Sequence, residues 1–422
     1  MPRFLYSVLF YCLLPAICLR LLWRAVRSPN YAKRWGERFG FVGHPDSGKE
    51  IIWLHAVSVG ETLAAVTLIK ALQEKYPGYR LMVTCMTPTG SERITAAFGG
   101  SVEHSYAPYD MPDAVARFLG RVRPKLLIIM ETELWPNTIA ACNKRNIPVI
   151  LANGRLSDKS SRAYQRINSL VRPMLNGLHT VAAQHTDDAQ RFQSFGLSDT
   201  TVTVTGNIKF DLNIAPALKD AVAQLSKDWR GTTQRRIFLA ASTHRGEDEI
   251  ILAGFSKIKA QVESALLVLV PRHPERFNQV AELCHSAGFS VVRRSANIPV
   301  GAADILLGDS MGELMTFFGA CDLAFVGGSF VPTGGHNMIE AAAWGTPVLT
   351  GPHLFNFTEA AQLLTEAGGM KVCQNFDDLA DQCTLLLQDE SQRMQMGDAA
   401  RHVAEANRGA LDRLLAVITQ II

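Results

Sequence analysis

Several patterns that mark common classes of protein are missing from this chain of 422 residues. The net charge is only +3, so a nucleic-acid partner has no global electrostatic support. Neither the P-loop pattern G-x-x-x-x-G-K-[ST] nor the dinucleotide fingerprint G-x-G-x-x-G occurs. No D-x-D motif stands out as a ligand set for a catalytic metal. We therefore expect no nucleic-acid partner and metal-independent chemistry.

The eight cysteines form no C-x-x-C pair, and most of them lie in apolar runs. This pattern is typical of buried free thiols in a reducing compartment, rather than of disulfides or a zinc site. Apolar residues make up 47% of the chain and charged residues 19%, as in folded α/β proteins. The length predicts two or three domains with ample core.

The longest apolar run lies at the N-terminus. Residues Phe4–Trp23 are apolar except for Ser7 and Arg20, and the run has about the length that a membrane-spanning helix needs. A basic stretch follows it, so the positive-inside rule places the bulk of the chain in the cytoplasm. Pro15 and Arg20 weaken a full span, and the alternative is a helix that lies in the membrane interface. We expect a retained anchor over residues 1–28 rather than a cleaved signal peptide or a core helix.

Apolar strand-like runs alternate with helical runs along the rest of the chain. The main apolar runs begin at Ile51, Arg80, Lys125, Pro148, Thr180, Ile237, Leu266, Asp304, Leu323 and Thr346. Repeated βα units predict parallel sheets with helices on both faces and functional loops at the carboxyl ends of the strands. The alternation of strand-like and helical runs is interrupted around residues 200–235, which predicts a linker there. We expect an α/β chain of two doubly wound domains, 29–212 and 213–422, facing each other across a cleft. The last helix alternatively packs back on the first domain.

A glycine-rich loop in the second half is the most informative stretch. The apolar run Leu323–Val326 enters it, two glycine pairs follow, and the helical run Met338–Trp344 leaves it. We expect His336 or Asn337 to cap this helix. Backbone N–H groups at a strand–loop–helix junction suit an anion, and Glu340 could accept hydrogen bonds from sugar hydroxyls. The alternative is an ordinary βα turn that needs glycine for its backbone angles.

Two further groups in the second half also follow predicted strands. Arg272 and His273 follow one strand, and the turn Met311-Gly312-Glu313 follows another. Parallel strands end at a shared edge, so these groups should lie near the glycine-rich loop. An arginine, exposed amides and a carboxylate together suit a nucleotide with its phosphate, base and ribose.

Three acidic residues in the first half also come just after strands. Glu61 follows the first strand, and Glu131 and Glu133 follow the strand that begins at Lys125. Each has a structural alternative, because Ser58-x-x-Glu61 matches a capping box and acidic side chains favour the positive end of a helix. The pattern alone favours the cap for Glu61. His55 is better explained by packing than by catalysis.

Eight short motifs occur in order along essentially the whole chain. They are Arg34–Gly40, His55–Glu61, Thr87–Glu92, Met130–Pro136, Thr205–Asp211, Ser242–Glu247, Pro271–Arg276 and Gly334–Glu340. As a set they resemble the family of 3-deoxy-D-manno-octulosonic acid (Kdo) transferases, and the chain shows no clear departure from the family at these positions. The resemblance implies a GT-B fold and an enzyme on the cytoplasmic face of a bacterial inner membrane. It further implies CMP-Kdo as donor, lipid IVA (the lipid A precursor) as acceptor, and no cofactor.

The resemblance also implies roles for individual residues. Glu61 matches the catalytic base, which reverses the preference for a capping role, although the side chain can do both. Glu131 and Lys209 match positions that stabilise the transition state. The remaining matches bind the CMP part of the donor, namely Arg272, His273, Met311, Gly312, Glu313, Asn337, Met338, Ile339 and Glu340. The inverting stereochemistry of the family implies a direct displacement through an oxocarbenium-like transition state.

Some questions stay open at this level. The basic segment Arg20–Arg38 predicts contact with anionic lipids of the inner membrane. The number of Kdo residues transferred depends on the shape of the acceptor site, and the sequence sets no oligomeric state. Two rival functions are a GT-B transferase that uses a UDP-sugar in envelope assembly and a non-enzymatic glycolipid-binding protein.

Overall fold

The structure is a computed structural model, which describes residues 2–44, 48–57, 59–212 and 214–422. The chain forms two compact units. The first unit comprises Met1–Asp211 together with Arg408–Ile422, and the second comprises Leu212–Asn407.

A seven-stranded parallel sheet forms the centre of the first unit. Its strands are β1 (Glu50–His55), β2 (Tyr79–Cys85), β3 (Glu103–Tyr106), β4 (Leu126–Met130), β5 (Val149–Gly154), β6 (Thr180–Ala183) and β7 (Val202–Val204). The spatial order is β3-β2-β1-β4-β5-β6-β7. Strands β1, β4 and β5 are buried along almost their whole length, which explains why they read as continuous apolar runs.

Helices cover both faces of this sheet, and apolar clusters fill the space between. The helices are α1 (Arg3–Arg27), α2 (Trp35–Arg38), α3 (Val59–Lys75), α4 (Pro88–Phe98), α5 (Pro112–Val122), α6 (Pro136–Asn143), α7 (Asp158–Arg166), α8 (Asn168–Leu175) and α9 (Thr186–Gln193). Proline occupies the first helical position of α4, α5 and α6, where the missing N–H costs no hydrogen bond.

The second unit repeats this architecture around another seven-stranded parallel sheet. Its strands are β8 (Ile237–Thr243), β9 (Leu266–Pro271), β10 (Val291–Arg293), β11 (Ile305–Leu307), β12 (Leu323–Val326), β13 (Val348–Thr350) and β14 (Met370–Val372). The order is β10-β11-β9-β8-β12-β13-β14. The prediction of two doubly wound parallel-sheet units is confirmed.

The helices of the second unit flank its sheet in the same way. They are α10 (Pro216–Arg230), α11 (Glu247–Gln261), α12 (Phe277–Ser286), α13 (Leu314–Ala320), α14 (Ile339–Trp344), α15 (Thr358–Glu366), α16 (Phe376–Gln388) and α17 (Glu390–Ala406). In each sheet the first strand lies beside a strand from much later in the chain, β4 for β1 and β12 for β8. Ligands of such sheets bind at the carboxyl ends of the strands near this switch point.

The chain returns to the first unit at its end. Helix α18 (Ala410–Thr419) buries Leu414 and Ile418 in the same apolar cluster as β1 and α3. The carboxylate of Asp211 accepts hydrogen bonds from the backbone N–H groups of Gly409 and Leu411, the latter over 2.6 Å. One side chain therefore joins the point where the chain leaves the first unit to the point where it re-enters.

Helix α1 is the one helix, within the described residues, that is long and apolar enough to cross a membrane. Its residues Arg3–Val26 meet that test by length and composition. Most of its side chains are exposed, and Pro15 lies within it.

Candidate active site

Glu61 lies in the first turn of α3, just after β1 ends. Its carboxyl group is buried, and Oε2 accepts a hydrogen bond of 2.8 Å from the backbone N–H of Val57. Ser58, the other residue of the predicted capping box, lies outside the described residues. The carboxylate is thus fixed at the carboxyl edge of the sheet and satisfies a backbone donor at the start of the helix.

Glu131 and Lys209 form an ion pair at the same edge of this sheet. Glu131 directly follows β4 and has a positive φ of 56°, which few residues other than glycine adopt. Lys209 lies in a short 3₁₀ helix after β7, and its Nζ is 2.7 Å from Oε1 of Glu131. Both side chains are largely shielded from water. The structure thus pairs two residues whose predicted roles were stated separately.

The backbone beside Lys209 is held by amide side chains that the sequence did not single out. Asn153, at the end of β5, accepts a hydrogen bond from the N–H of Ile208. Asn207 accepts one from the N–H of Lys209 and donates to Gln184. Gln184 in turn donates to the carbonyl of Asn153. This closed network sets the position of the lysine relative to the sheet.

His55 and Glu133 lie close to this edge and are largely buried. Burial lowers the pKa of His55 to about 3, so its imidazole is neutral. Its Nδ1 is 2.9 Å from Thr84 Oγ1, and its ring packs edge-on against Trp135. Burial raises the pKa of Glu133, whose carboxylate accepts a hydrogen bond from the indole of Trp135. Both environments fit a packing role.

The glycine-rich loop of the second unit approaches the neighbouring strand closely. A Cβ atom on Gly327 would lie 2.7 Å from the carbonyl oxygen of Ser242, so a side chain does not fit there. Gly334 has a φ of +100°, which disfavours any other residue. The glycines are therefore required by backbone geometry and by close packing against neighbouring residues.

A buried glutamate that the prediction left without a role holds this loop. Glu247 begins α11 after β8 and is fully shielded from solvent. Its carboxylate accepts hydrogen bonds of 2.7–2.9 Å from the backbone N–H groups of Gly328, Ser329, Phe330 and His244. One carboxylate group thus connects the loop after β12 to the loop after β8.

Three histidines gather between these loops. Nε2 of His244 and Nε2 of His336 are 2.7 Å apart with stacked rings, so one imidazole donates to the other. The ring of His273 packs edge-on against His244. Burial, together with the nearby charge of Arg272, lowers the pKa of His336 to about 3. Burial also lowers the pKa of His244. A neutral pair can hydrogen-bond a ligand but adds no positive charge.

The helix after the glycine-rich loop begins at Ile339 and is only six residues long. Met338 is its flanking residue, so the cap expected at His336 or Asn337 falls one residue later. Asn337 still accepts a hydrogen bond from the N–H of Ile339 and donates to Glu340 over 3.0 Å. Burial raises the pKa of Glu340, while the amide of Asn337 and the charge of Arg272 oppose this shift. Met338 and Ile339 are fully buried, so their side chains belong to the core.

The turn Met311-Gly312-Glu313 follows β11, which is separated from β8 by β9. Gly312 has a φ of +84°, and the Met311 side chain is exposed. The carboxylate of Glu313 forms a bidentate pair with Arg294 and accepts a hydrogen bond from Ser310. These contacts lower the pKa of Glu313. This carboxylate is therefore already engaged by Arg294 and Ser310.

The structure thus brings together some of the predicted residues and separates others. Arg272 and His273 lie beside the glycine-rich loop with Asn337 and Glu340, whereas the Met311 turn lies further along the sheet edge. Sequence reasoning gave no site role to Glu247 or to the His244–His336 pair. Glu247 and His244 lie in the motif Ser242–Glu247, and His336 lies in the glycine-rich loop. The motif was the feature of the sequence that could have pointed to these residues. Within the described ranges, no cluster of three His, Cys, Asp or Glu side chains could hold a metal ion, and metal independence stays a prediction.

Comparison with known proteins agrees with this architecture. Residues 33–212 match the family model described as 3-Deoxy-D-manno-octulosonic-acid transferase (kdotransferase). A 3-deoxy-D-manno-octulosonic acid transferase of Haemophilus influenzae is 44% identical over 98% of this chain and 97% of that protein. The enzyme of the same name from Bordetella pertussis is 37% identical over 98% of each chain.

Solved structures at low identity support the fold alone. A UDP-GlcNAc 2-epimerase from Neisseria meningitidis aligns with a TM-score of 0.59 at 14% identity, covering 88% of this chain and 100% of that one. A glycosyltransferase from Rickettsia africae aligns with a TM-score of 0.57 at 15% identity, covering 89% and 99%. With its two parallel-sheet units and its close relatives, the chain belongs to the family of 3-deoxy-D-manno-octulosonic acid transferases, glycosyltransferases of the GT-B fold.

Proposed function

We propose that this transferase moves Kdo from CMP-Kdo to a glucosamine hydroxyl of lipid IVA with inversion at the anomeric carbon. The observation that carries the donor assignment is the arrangement of Arg272, Asn337 and Glu340 around the glycine-rich loop of the second unit. The cation of Arg272 matches the phosphate of a nucleotide monophosphate, and the buried carboxylate of Glu340 matches its ribose hydroxyls.

In this proposal Arg272 is the main group that stabilises the negative charge on the departing phosphate. Helix α14 has six residues and therefore only a small dipole, so its contribution is minor. The guanidinium of Arg272 can form two hydrogen bonds to phosphate oxygens. Glu340 accepts hydrogen bonds from the ribose hydroxyls, and backbone groups of Met311–Glu313 contact the cytosine. His273 packs edge-on against His244 and is assigned to the same donor site.

Glu61 acts as the general base of the proposed reaction. It takes the proton of the acceptor hydroxyl while that oxygen forms a bond to the anomeric carbon of Kdo. The bond from this carbon to the CMP phosphate breaks at the same time, and CMP leaves with the bonding electrons. The burial of Glu61 supports the role, because a shielded carboxylate interacts more strongly with a partner proton than an exposed one.

Glu131 and Lys209 stabilise the charges that develop in the transition state. The carboxylate of Glu131 favours the positive charge on the sugar, and the ammonium of Lys209 favours an anionic group of the donor. Their ion pair of 2.7 Å fixes both side chains at the sheet edge before substrate arrives. This pre-organisation lowers the cost of reorienting charged groups during the reaction.

The acceptor in this proposal is a glycolipid, which requires an enzyme at the membrane surface. Helix α1 and the basic residues around it supply apolar and cationic contacts for the cytoplasmic face of the inner membrane and its anionic lipids. The acceptor receives one or two Kdo residues.

The proposed reaction is tested by mass spectrometry of lipid IVA after incubation with CMP-Kdo and the purified full-length protein. A mass increase of one or two Kdo residues is expected, and an unchanged lipid would contradict the proposal. The number of residues added is read from the same spectrum.

The base is tested with Glu61→Gln, which removes the proton-accepting charge with little change in shape. We expect kcat to fall by about 10²–10⁴-fold, the usual contribution of general base catalysis. The matched control is Glu74→Gln, an exposed glutamate on the same helix, which should keep wild-type turnover. Near wild-type transfer by Glu61→Gln would show that another group takes the proton.

A further inference from the structure

Helix α1 is docked on its own unit by a regular apolar stripe. Phe10, Leu14, Ile17 and Leu21 recur every three or four residues and therefore share one face of the helix. They pack against an apolar cluster that includes Met111 and residues of the loop after β3. Leu21, near the C-terminal end of the helix, is buried. The contact thus extends along most of the helix.

Polar contacts fix the first half of the same face. The hydroxyl of Ser7 exchanges hydrogen bonds of 3.0–3.1 Å with the side-chain amide of Asn137. The backbone N–H groups of Asn137 and Thr138 donate to the buried carboxylate of Asp110. Tyr11 donates to Asp113 one helical turn further on. Pulling α1 away would break the hydrogen bonds between Ser7 and Asn137 and expose the apolar cluster beneath the helix.

The opposite face of α1 is apolar and open to solvent. Phe4 is 74% exposed, Leu19 66% and Val26 85%, and several other leucines of this face are about half exposed. Monomeric soluble proteins rarely expose a continuous apolar surface of this length. Arg3 and Arg20 are also exposed along the helix, so cations border the apolar face.

A cavity of about 680 Å³ lies beside the first turns of α1. Phe4, Val8 and Ala140 give it apolar walls, and Arg3, Lys144 and Arg145 give it cationic ones. A lining of apolar and cationic side chains complements the acyl chain and phosphate of an anionic phospholipid. The cavity is continuous with the exposed face of the helix, because Phe4 and Val8 belong to both.

We propose that α1 stays docked on the first unit and lies in the plane of the membrane rather than crossing it. Its exposed face enters the boundary between headgroups and acyl chains, and the cavity receives one anionic phospholipid. The helix spans roughly 37 Å, and its contacts with the unit run from Ser7 to Leu21. Too little of it is left over to cross about 30 Å of hydrocarbon. This proposal rests on the membrane association stated under the proposed function.

The topology is tested by labelling a cysteine at position 2 in intact spheroplasts. Cys12 and Cys18 are first replaced by alanine, and Pro2→Cys is treated with a membrane-impermeant maleimide before or after permeabilisation. A docked helix keeps position 2 unlabelled until the membrane is opened, as for the control Thr233→Cys in the second unit. Labelling of position 2 in intact spheroplasts would overturn the proposal.

Docking is tested in the same membranes with the pair Ser7→Cys and Asn137→Cys. A short bifunctional maleimide should join the two positions within one chain, as judged by a mobility shift that protease mapping confirms. Absence of the cross-link together with protection of position 2 would also overturn the proposal, because the helix would then lie in the membrane away from its unit. Loss of the whole protein to the soluble fraction would instead contradict the membrane association itself.

The membrane-facing surface is tested with purified protein and vesicles that contain phosphatidylglycerol. Leu9→Asp and Leu13→Asp lie on the exposed face and should each weaken binding about tenfold or more, the effect of losing one leucine from an apolar phase. Leu385 lies on α16 of the second unit and is 40% exposed, somewhat less than Leu9 and Leu13. Leu385→Asp is the control and should not change binding. Equal effects of all three substitutions would contradict the assigned face.

Lys144→Gln combined with Arg145→Gln tests the cavity on the same vesicles. We expect weaker binding to vesicles with phosphatidylglycerol and unchanged binding to vesicles of phosphatidylcholine alone. Unchanged binding to both kinds of vesicle would contradict the proposal that the cavity binds an anionic phospholipid.

Discussion

The two sheets carry a buried glutamate at equivalent junctions, and the two residues are held differently. Glu61 follows β1 and Glu247 follows β8, the strands that lie at the two switch points. Glu247 is saturated by four backbone N–H groups from two loops. Glu61 accepts a bond from Val57 in its own βα connection. A glutamate at the same place in the fold thus organises loops in the second unit, whereas its counterpart in the first unit is the proposed general base.

This comparison predicts opposite phenotypes for the two glutamates. Glu247→Ala leaves the N–H groups of Gly328, Ser329 and Phe330 buried without an acceptor, and each costs about 1–3 kcal/mol. We expect a loss of several kcal/mol in the stability of the second unit, measured as a lower thermal midpoint. Glu249→Ala, an exposed glutamate on the same helix, is the control. Glu61→Gln should change the midpoint little while abolishing most turnover, and similar midpoint losses in both variants would remove the distinction.

A second prediction places the nucleotide in the second unit. Arg272→Ala should raise the Kd for CMP by about 10–100-fold, since a charge-assisted hydrogen bond contributes about 1.5–3 kcal/mol. Isothermal titration calorimetry gives the constant directly.

Arg245→Ala provides the matched control, because this arginine is exposed on the adjacent loop. UDP should bind more weakly than CMP to the wild-type protein if the base is read as proposed. Tighter binding of UDP would favour a UDP-sugar donor, and an unchanged Kd in Arg272→Ala would leave the phosphate without its assigned partner.

A third, smaller effect concerns pH and compares the buried histidine of the first unit with a surface histidine. Burial lowers the pKa of His55 from 6.5 to about 3, so below pH 6.5 the unfolded chain binds a proton that the folded chain does not. Stability should therefore fall as pH drops from 6.5 towards 3, by about 1.4 kcal/mol for each pH unit.

Urea midpoints at pH 7.5 and pH 5.5 measure this dependence. His55→Gln should flatten the slope, whereas His285→Gln, on the surface of the second unit, should leave it unchanged. An unaltered slope in His55→Gln would show that other groups set the acid sensitivity.

Local patterns predicted the sheets well, because parallel strands that are buried on both faces read as apolar runs between helical ones. The edge strand Val202–Val204 lies within residues 200–235, where a linker was predicted. The helix after the glycine-rich loop begins at Ile339, one residue later than predicted. Strand and helix ends depend on tertiary partners that the local sequence does not specify.

The contents of the site were harder to predict than its location. A carboxylate after a strand is visible in the sequence, but its partners are not. Glu131 and Lys209 meet because β4 and β7 end at one edge, and Glu247 reaches a loop that follows β12. The family resemblance supplied residue roles, whereas the coordinates show that the Glu313 carboxylate is already engaged by Arg294. Long-range pairing of this kind is a property of the folded chain.

The Asp211 junction has a consequence for how the protein is made. Because α18 completes the apolar cluster of the first unit, that unit stays unfinished on the ribosome until the last residues emerge, after the whole second unit has been synthesised. The carboxylate of Asp211 bonds the segment that returns to the first unit. The second unit, Leu212–Asn407, is therefore inserted into the first unit, and the two ends of the insertion lie close together. A short linker from Asp211 to Arg408 should therefore yield the first unit alone, whereas truncation after Asp211 should expose the apolar surface that Leu414 and Ile418 cover and cause aggregation.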